Sequence, residues 1–214
     1  MKTTIRILGI IFIIALIGLF LLRPRTDIPE INYSIIQNEY TSDYPAEFHF
    51  LQTYNDCGPY NVAAIVRVLN KKQVSSADFA ESIGWKMSKG YTMPWGLEKQ
   101  LKDHNIPVEI PNLPVITDEE RINFLHERMS QGKLVIILGE KNEIQHYLSI
   151  LGFNRNKNEF YVYDSLIEEG DPGLTIDENG SLSGNRTLSS EELLEFWRRG
   201  GMYNKFIWYA IVAG

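Results

Sequence analysis

The sequence predicts an α+β fold in which a helical amino-terminal half packs on an antiparallel sheet, preceded by one transmembrane helix. Three observations support it: a long apolar run at residues 7–22, apolar residues at helical spacing between residues 57 and 130, and short apolar runs nearer the carboxyl end. Those short runs cover residues 134–138, 147–153, 160–163 and 206–212. Helices that come first and strands that come later are typical of α+β proteins.

Composition excludes several classes of protein. The chain has 214 residues, a formal net charge of -6 and a single cysteine. An acidic balance argues against nucleic-acid binding, which normally requires a basic face. One cysteine excludes an intrachain disulfide and cysteine-rich metal sites. The acidic segment 168–178 lacks the alternating ligand spacing of an EF-hand, so we predict a solvated loop there and neither a metal nor a cofactor.

The apolar run at residues 7–22 reads ILGIIFIIALIGLFLL and carries no charge. It has no polar face, which argues against a core helix, and no small-residue cleavage pattern follows it, which argues against a removed signal peptide. We therefore predict an uncleaved, single-pass anchor at residues 1–25, a linker at 26–46 and a globular domain at 47–214. The positive-inside rule scarcely discriminates between the two orientations of this anchor. We place the globular domain outside the cytoplasm.

Cys57 lies at the start of a predicted helix that runs to Leu69. Unpaired backbone N–H groups and the helix dipole at that end favour a negative charge and hence a thiolate. Gly58 is expected to leave the backbone open to a substrate, and Pro59 presets the first helical turn. Gln52, just upstream, has an amide that can donate a hydrogen bond to an oxyanion, together with the Cys57 backbone N–H. Composition alone favours an inert thiol, but this setting favours a nucleophile.

A thiolate nucleophile needs a base, and the chain has four histidines. His146 heads the apolar run HYLSILGF and Asp164 ends the run FYVYD, so an antiparallel hairpin would bring the two together. An ordinary strand-end turn is the alternative role for Asp164. His49 falls on a presumed strand, His104 ends a helix, and His126 is expected to be a partly exposed structural residue on a third helix.

The segments QTYNDCGPYNVAAIVRVL, LVIIL, QHYLSILGF and FYVYDS resemble the C39-like, bacteriocin-processing-type peptidase family of the papain-like clan, over about residues 48–212. This resemblance implies a bacterial cysteine peptidase with a papain-like fold that acts on a peptide or protein. It implies Cys57 as nucleophile, His146 as base, Asp164 as the group that orients it and Gln52 as oxyanion donor. Two features depart from the family: Ser165 stands where proline often follows the aspartate, and Gln52 lies five positions before Cys57 where six is common. With no P-loop in this sequence, cleavage of Gly-Gly leaders by exporter-fused members is not expected to carry over.

The function predicted is that of a membrane-anchored cysteine peptidase or other amide hydrolase, and three other functions are alternatives to it. Transglutaminase-like acyl transfer uses Cys, His and Asp in the same order, but usually with a shorter separation than the 89 positions from Cys57 to His146. Amidases of the NlpC type would prefer a second histidine after His146. A peptide-binding module without catalysis on the same fold stays open. Three aromatic residues either line a wall of a substrate cleft or have an ordinary packing role in the core or at the rim: Trp85, Tyr91 and Trp95.

Overall fold

The computed structural model describes residues 2–21, 28–87, 90–168, 171, 173, 182–201 and 206–214. Within them the chain forms a sheet of seven strands: β1 (Glu39–Thr41), β2 (Val108–Glu109), β3 (Leu134–Lys141), β4 (Ile144–Asn154), β5 (Glu159–Tyr163), β6 (Arg186–Ser189) and β7 (Tyr209–Ala213). The strand order is β2-β7-β3-β4-β5-β6. β1 pairs with the carboxyl-terminal end of β4, which extends past the residues that pair with β3. All the strand pairs are antiparallel, as the sequence predicts.

The helices of the described segments are α1 (Lys2–Leu21), α2 (Cys57–Asn70), α3 (Ser76–Ser82), α4 (Pro94–Asp103), α5 (Asp118–Ser130) and α6 (Ser190–Arg198). Three short 3₁₀ turns accompany them: Tyr33–Ile35, Ala46–Phe48 and Leu113–Val115. Two of these helices begin with capping boxes, formed by Thr117 and Glu120 in α5 and by Ser189 and Glu192 in α6. Reciprocal bonds to the free N–H groups therefore fix where α5 and α6 begin.

The sheet is covered by helices on both faces. Alternate β3 residues point to opposite sides: Leu134 and Ile136 belong to a core shared with α2, α3 and α4, whereas Val135 and Ile137 belong to a core shared with α5 and α6. Because both faces are buried, the strand reads as a continuous apolar run rather than an alternating one. The helical layer on the first face carries Cys57, and the sheet carries its prospective partners.

The amino-terminal segments differ in part from expectation. In the described residues no helix has the length and apolarity that crossing a membrane requires. The segment 26–46, predicted as a linker, contributes β1 to the sheet, where Tyr40 lies opposite Phe153. Gln37 also bonds to Ser130 of α5 through its backbone N–H (2.9 Å). These contacts make residues 37–41 part of the globular body.

The central hairpins are longer than the sequence suggests. The polar segment 140–145 continues β3 and β4 through a two-residue turn at Asn142 and Glu143, so His146 lies inside β4 rather than at its head. The predicted hairpin between β4 and β5 is confirmed. The acidic segment 168–178, predicted as a solvated loop, is followed along the chain by β6, a short strand that pairs with β5 on the side away from β4. The polar residues of these segments are in strands because they pair with neighbouring strands. The segments have no apolar pattern that would predict a strand.

Candidate active site

The amino end of α2 places Cys57 against the sheet. Cys57 is the first residue of the helix and is buried, with a free thiol. Asp56, the residue at the N-cap, makes no capping bond; its carboxylate accepts from Thr53 Oγ1 (2.8 Å) and pairs with Lys86 Nζ (3.0 Å). The first N–H groups of α2 are thus left without a side-chain cap from Asp56, and they can face a developing negative charge.

Gly58 has a different role from the one predicted. A Cβ built at this position would lie 2.9 Å from Leu97 Cδ1, 3.3 Å from Thr92 Cβ and 3.5 Å from Tyr147 Cδ2. Gly58 therefore allows α2 to pack closely on α4 and β4, and it does not open the backbone to a substrate. Pro59 lies in the first turn of α2, as expected.

Asn61 ties the helix of Cys57 to the strand of His146. The fully buried Asn61 side chain donates through Nδ2 to the Cys57 carbonyl (2.8 Å) and to the Tyr147 carbonyl (2.9 Å). Its Oδ1 accepts from Ser149 Oγ at 2.7 Å. The Asn61 amide thus links Cys57, which carries the thiol, to Tyr147, the residue next to His146. The sequence held a signal for this contact, because a polar residue four positions after Cys57 lies on the same helix face.

His146 connects Cys57 and Asp164. Its Nε2 lies 2.7 Å from Asp164 Oδ1, and the same ring has a side-chain hydrogen bond with Cys57. Burial lowers the pKa of His146, but the hydrogen bonds to Asp164 and Cys57 and their negative charges outweigh it and raise this pKa to about 9. This arrangement favours the protonated imidazolium form of His146 at neutral pH.

Two buried cations surround Asp164, and the sequence reasoning missed both. Asp164 Oδ2 pairs with Arg186 (2.6 Å) and Lys141 Nζ (3.2 Å), while Oδ1 also accepts from the Leu166 N–H (2.8 Å). Burial raises the pKa of this carboxyl, yet the bond to His146 and the charges of His146 and Lys141 hold it well below its ordinary value. Asp164 therefore stays ionised although it is fully buried. The Asn185 side chain accepts from the Asp164 backbone N–H and donates to the Asp164 carbonyl.

Gln52 is attached to the residue that follows Asp164. Its backbone N–H donates to the Ser165 carbonyl (2.8 Å), and its Oε1 accepts from Ser165 Oγ (2.8 Å). With the amide oxygen held in this way, the Gln52 Nε2 is available as a donor. The departure from Asp-Pro in this sequence therefore supplies the hydroxyl that orients the Gln52 amide.

The remaining histidines are bonded or stacked outside this cluster. His49 follows the 3₁₀ turn Ala46–Phe48 rather than lying on the predicted strand, and His104 stacks on Phe79. His126 is buried instead of partly exposed, with its ring 4.6 Å from that of Phe153. Burial and then the charge of Arg155 lower the pKa of His126 to about 4. Its helix carries apolar residues on the face that covers β4 and β5, which explains why a neutral imidazole is accommodated there.

An apolar cleft of about 440 Å³ opens beside Cys57. Its walls come from the segment before α4, the turn between β3 and β4, and Phe206; the lining residues are Cys57, Met87, Tyr91, Thr92, Met93, Pro94, Leu138, Glu143, Ile144, Gln145, Tyr147 and Phe206. Of the three aromatic residues considered from the sequence, Tyr91 lines the cleft. Trp85 and Trp95 pack on each other, with ring centroids 5.8 Å apart.

The acidic loop is only partly described. Glu169, Asp177 and Glu178 lie outside the described residues. Asp171 pairs with Lys141, so at least this carboxylate of the predicted solvated loop is committed to the charge network of Asp164.

The architecture is the papain-like α+β fold, in which a helix carries the thiol and the adjoining antiparallel sheet carries the histidine and its acidic partner. The chain is similar to the peptidase domain of Streptococcus ComA, described as a bi-functional ABC transporter involved in a quorum sensing pathway, with a TM-score of 0.50 and 16% identity over 77% of this chain and 96% of that one. It is also similar to xylellain, a cysteine protease from Xylella fastidiosa, with a TM-score of 0.51 and 12% identity over 89% of this chain and 93% of that one. No family model matches the sequence, and no curated protein matches it. At these identities the similarity establishes the fold.

Proposed function

We propose that this chain is a cysteine peptidase that hydrolyses peptide or other amide bonds through Cys57, His146 and Asp164, with Gln52 as an oxyanion donor. The observation that carries the proposal is the continuous hydrogen-bonded series from the Cys57 thiol through His146 to Asp164. Nucleophile, base and orienting group recur in this relation in thiol and serine hydrolases of unrelated folds.

The mechanism assigns each residue one task. The Cys57 thiolate attacks the amide carbonyl carbon, and the carbonyl oxygen becomes an oxyanion that accepts hydrogen bonds from Gln52 Nε2 and the Cys57 backbone N–H. The His146 imidazolium gives its proton to the leaving amine as the C–N bond breaks, which leaves a thioester on Cys57. Neutral His146 then takes a proton from water, the hydroxide oxygen adds to the thioester, and the carboxylic acid departs as the thiolate returns.

The test uses the full chain in detergent, where the single cysteine makes labelling unambiguous. Intact mass spectrometry measures the rate at which iodoacetamide adds one carbamidomethyl group at neutral pH. We expect the native chain to react faster than the same chain unfolded in guanidinium, and Cys57→Ala to take up no label. His146→Gln should slow the native reaction. His104→Gln is the matched control and should not slow it, because the His104 ring stacks on Phe79 outside the site. A native rate no greater than the unfolded one would refute the nucleophile assignment.

Product analysis separates hydrolysis from its two alternatives. With a digested-proteome peptide mixture as substrate, a hydrolase generates new carboxyl termini that take up ¹⁸O from labelled water. In the presence of a primary amine, an acyl transferase would instead produce amides of that amine. Rapid Cys57 alkylation with neither product would favour the peptide-binding module.

We further propose that residues 7–22 attach the chain to a membrane as a single-pass anchor, with the globular part outside the cytoplasm. The exposed apolar side chains of α1 support this: Ile7, Ile10, Ile11, Phe12, Ile13, Ile14, Leu16 and Ile17. Carbonate extraction of membranes should retain the full chain and release the chain that begins at residue 28. A membrane-impermeant thiol probe should label Cys57 in intact cells; labelling that requires permeabilised cells would reverse the proposed orientation.

A further inference from the structure

The cleft beside Cys57 combines apolar walls with one carboxylate. Met87 and Ile144 are 43% and 40% exposed, so large apolar side chains at this cleft face solvent. Among the described residues that line it, Glu143 is the only charged one. A cleft of about 440 Å³ falls within the range of ligand sites in proteins.

Glu143 occupies a backbone position that glycine would fill more readily. Lys141 pairs with Ile144, which leaves Asn142 and Glu143 as the two turn residues, at φ of 49° and 64°. This is the type I′ pattern, for which Asn-Gly is the preferred sequence because both residues take left-handed φ values. A glutamate at the second turn position therefore costs conformational free energy that glycine would not. Strain of this kind is retained where the side chain has a use.

The Glu143 carboxylate is available to a ligand. Its side chain is exposed, and within the part of the chain that the structure describes no hydrogen bond or ion pair holds the carboxylate. The neighbouring Asn142 bonds Glu168 and thereby fixes the turn. The turn thus presents an exposed carboxylate at the apolar cleft that Cys57 also lines.

We propose that the cleft selects peptide segments that carry a large apolar side chain next to the scissile amide and a lysine or arginine beside it. The apolar side chain is buried against Met87, Ile144 and Phe206, and the cation pairs with Glu143. The inference rests on the proposed peptidase function and adds its substrate class. The ion pair forms at the edge of the cleft, in partial contact with water, so it contributes more to selection between peptides than to total affinity.

The experiment compares the wild-type chain with Glu143→Gln, Glu143→Gly and Glu119→Gln on a peptide library derived from a digested proteome, with cleavage sites read by mass spectrometry. Glu143→Gln removes the charge and keeps the shape, while Glu143→Gly also relieves the turn. Glu119→Gln is the matched control, since Glu119 is an exposed glutamate of α5 that does not line the cleft. Thermal unfolding of each variant is recorded in parallel.

The wild type should enrich large apolar residues beside the cleaved bond and Lys or Arg within two positions of them. Both Glu143 variants should lower kcat/KM for the basic peptides by about 2- to 5-fold, as for a solvated ion pair, and keep the apolar preference. Glu143→Gly should also raise Tm by about 2–4 °C, and Glu119→Gln should keep the basic preference.

Two results would overturn the inference: no basic enrichment among the cleaved peptides of the wild type, or basic enrichment that survives Glu143→Gln. Failure of the proposed function has a different signature, since the wild type would then cleave no peptide at all, whether or not Cys57 reacts rapidly with iodoacetamide.

Discussion

Asp164→Asn tests the electrostatic basis of the proposed site. Asparagine keeps the shape of the side chain but removes the negative charge that His146, Lys141 and Arg186 all face. The pKa of His146 is about 9 in the structure because Asp164 and Cys57 outweigh burial. Without the carboxylate, burial and the two cations act in the same direction, and we expect this pKa to fall to the ordinary value of about 6.5 or below. A fall of about 2.5 pH units corresponds to about 3 kcal/mol of lost preference for the imidazolium.

The assay is an NMR titration of the imidazole signals, with the His146 signal assigned by its loss in His146→Gln. Asp171→Asn is the control, because it removes a carboxylate from Lys141 without touching the bond between His146 and Asp164. Since the imidazolium is the acid that protonates the leaving amine, the alkaline limb of kcat/KM should move to lower pH in Asp164→Asn as well. A His146 pKa that stays within one pH unit of the wild-type value in Asp164→Asn would refute the reasoning.

Further predictions concern the framework of the site. Asn61→Leu should reduce the free energy of unfolding in urea by about 1–3 kcal/mol, because it deprives buried carbonyls and a hydroxyl of their partner; a loss below about 0.5 kcal/mol would show that the Asn61 contacts are weak. Gly139→Ala should cost about 1–3 kcal/mol by the same measurement, since a Cβ there would lie 2.5 Å from the backbone oxygen of Phe196; Gly9→Ala, where nothing lies within 4 Å, is the control. The pKa of His126 is lowered to about 4 in the folded chain. As the pH drops, the imidazole is therefore protonated in the unfolded chain before it is protonated in the folded one. The free energy of unfolding should consequently fall between about pH 6.5 and about pH 4, by up to about 3 kcal/mol. His126→Phe should remove that part of the pH dependence, and an unchanged profile would contradict it.

The parts of the fold that could be predicted are those with local signals. Thr117 and Ser189, each followed three residues later by glutamate, mark helix starts through their own hydrogen bonds. The run 134–138 identifies a strand because both of its faces are buried. The geometry of two adjoining strands brings His146 and Asp164 together, and the structure places them 2.7 Å apart.

The parts that could not be predicted depend on residues far apart in sequence. Lys141 and Arg186 pair with the same carboxylate, although 45 positions separate them. Each is a charged residue in a segment without an apolar pattern, so nothing local distinguishes it from a solvated side chain. The packing role of Gly58 could not be predicted for the same reason, since its neighbours Leu97 and Thr92 belong to a later helix and to the segment before that helix. β1 forms for a comparable reason: its three residues add to an edge that β4 already presents.

The charge network explains how a fully buried carboxylate can serve this site. Removing Asp164 from water disfavours its ionised form, and one hydrogen bond to a neutral imidazole would not offset a penalty of several kcal/mol. The positive charges of Arg186 and Lys141 lie against Asp164 Oδ2. The carboxylate of Asp171 pairs with Lys141 in turn and partly offsets the charge of that lysine. Asp164 can therefore remain ionised whether His146 is protonated or neutral. That property is what the proposed mechanism needs, because His146 must gain and lose a proton in each cycle while its orientation stays fixed.

Ser165 connects this network to Gln52. A proline at position 165 would have no hydroxyl, and the Gln52 amide would then lose the donor that holds its oxygen at 2.8 Å. Because Asp164 and Ser165 are adjacent, one short segment orients both the imidazole and the amide. The Gln52 amide therefore has a bonding partner that fixes where it points, and this partner is present because serine rather than proline follows Asp164.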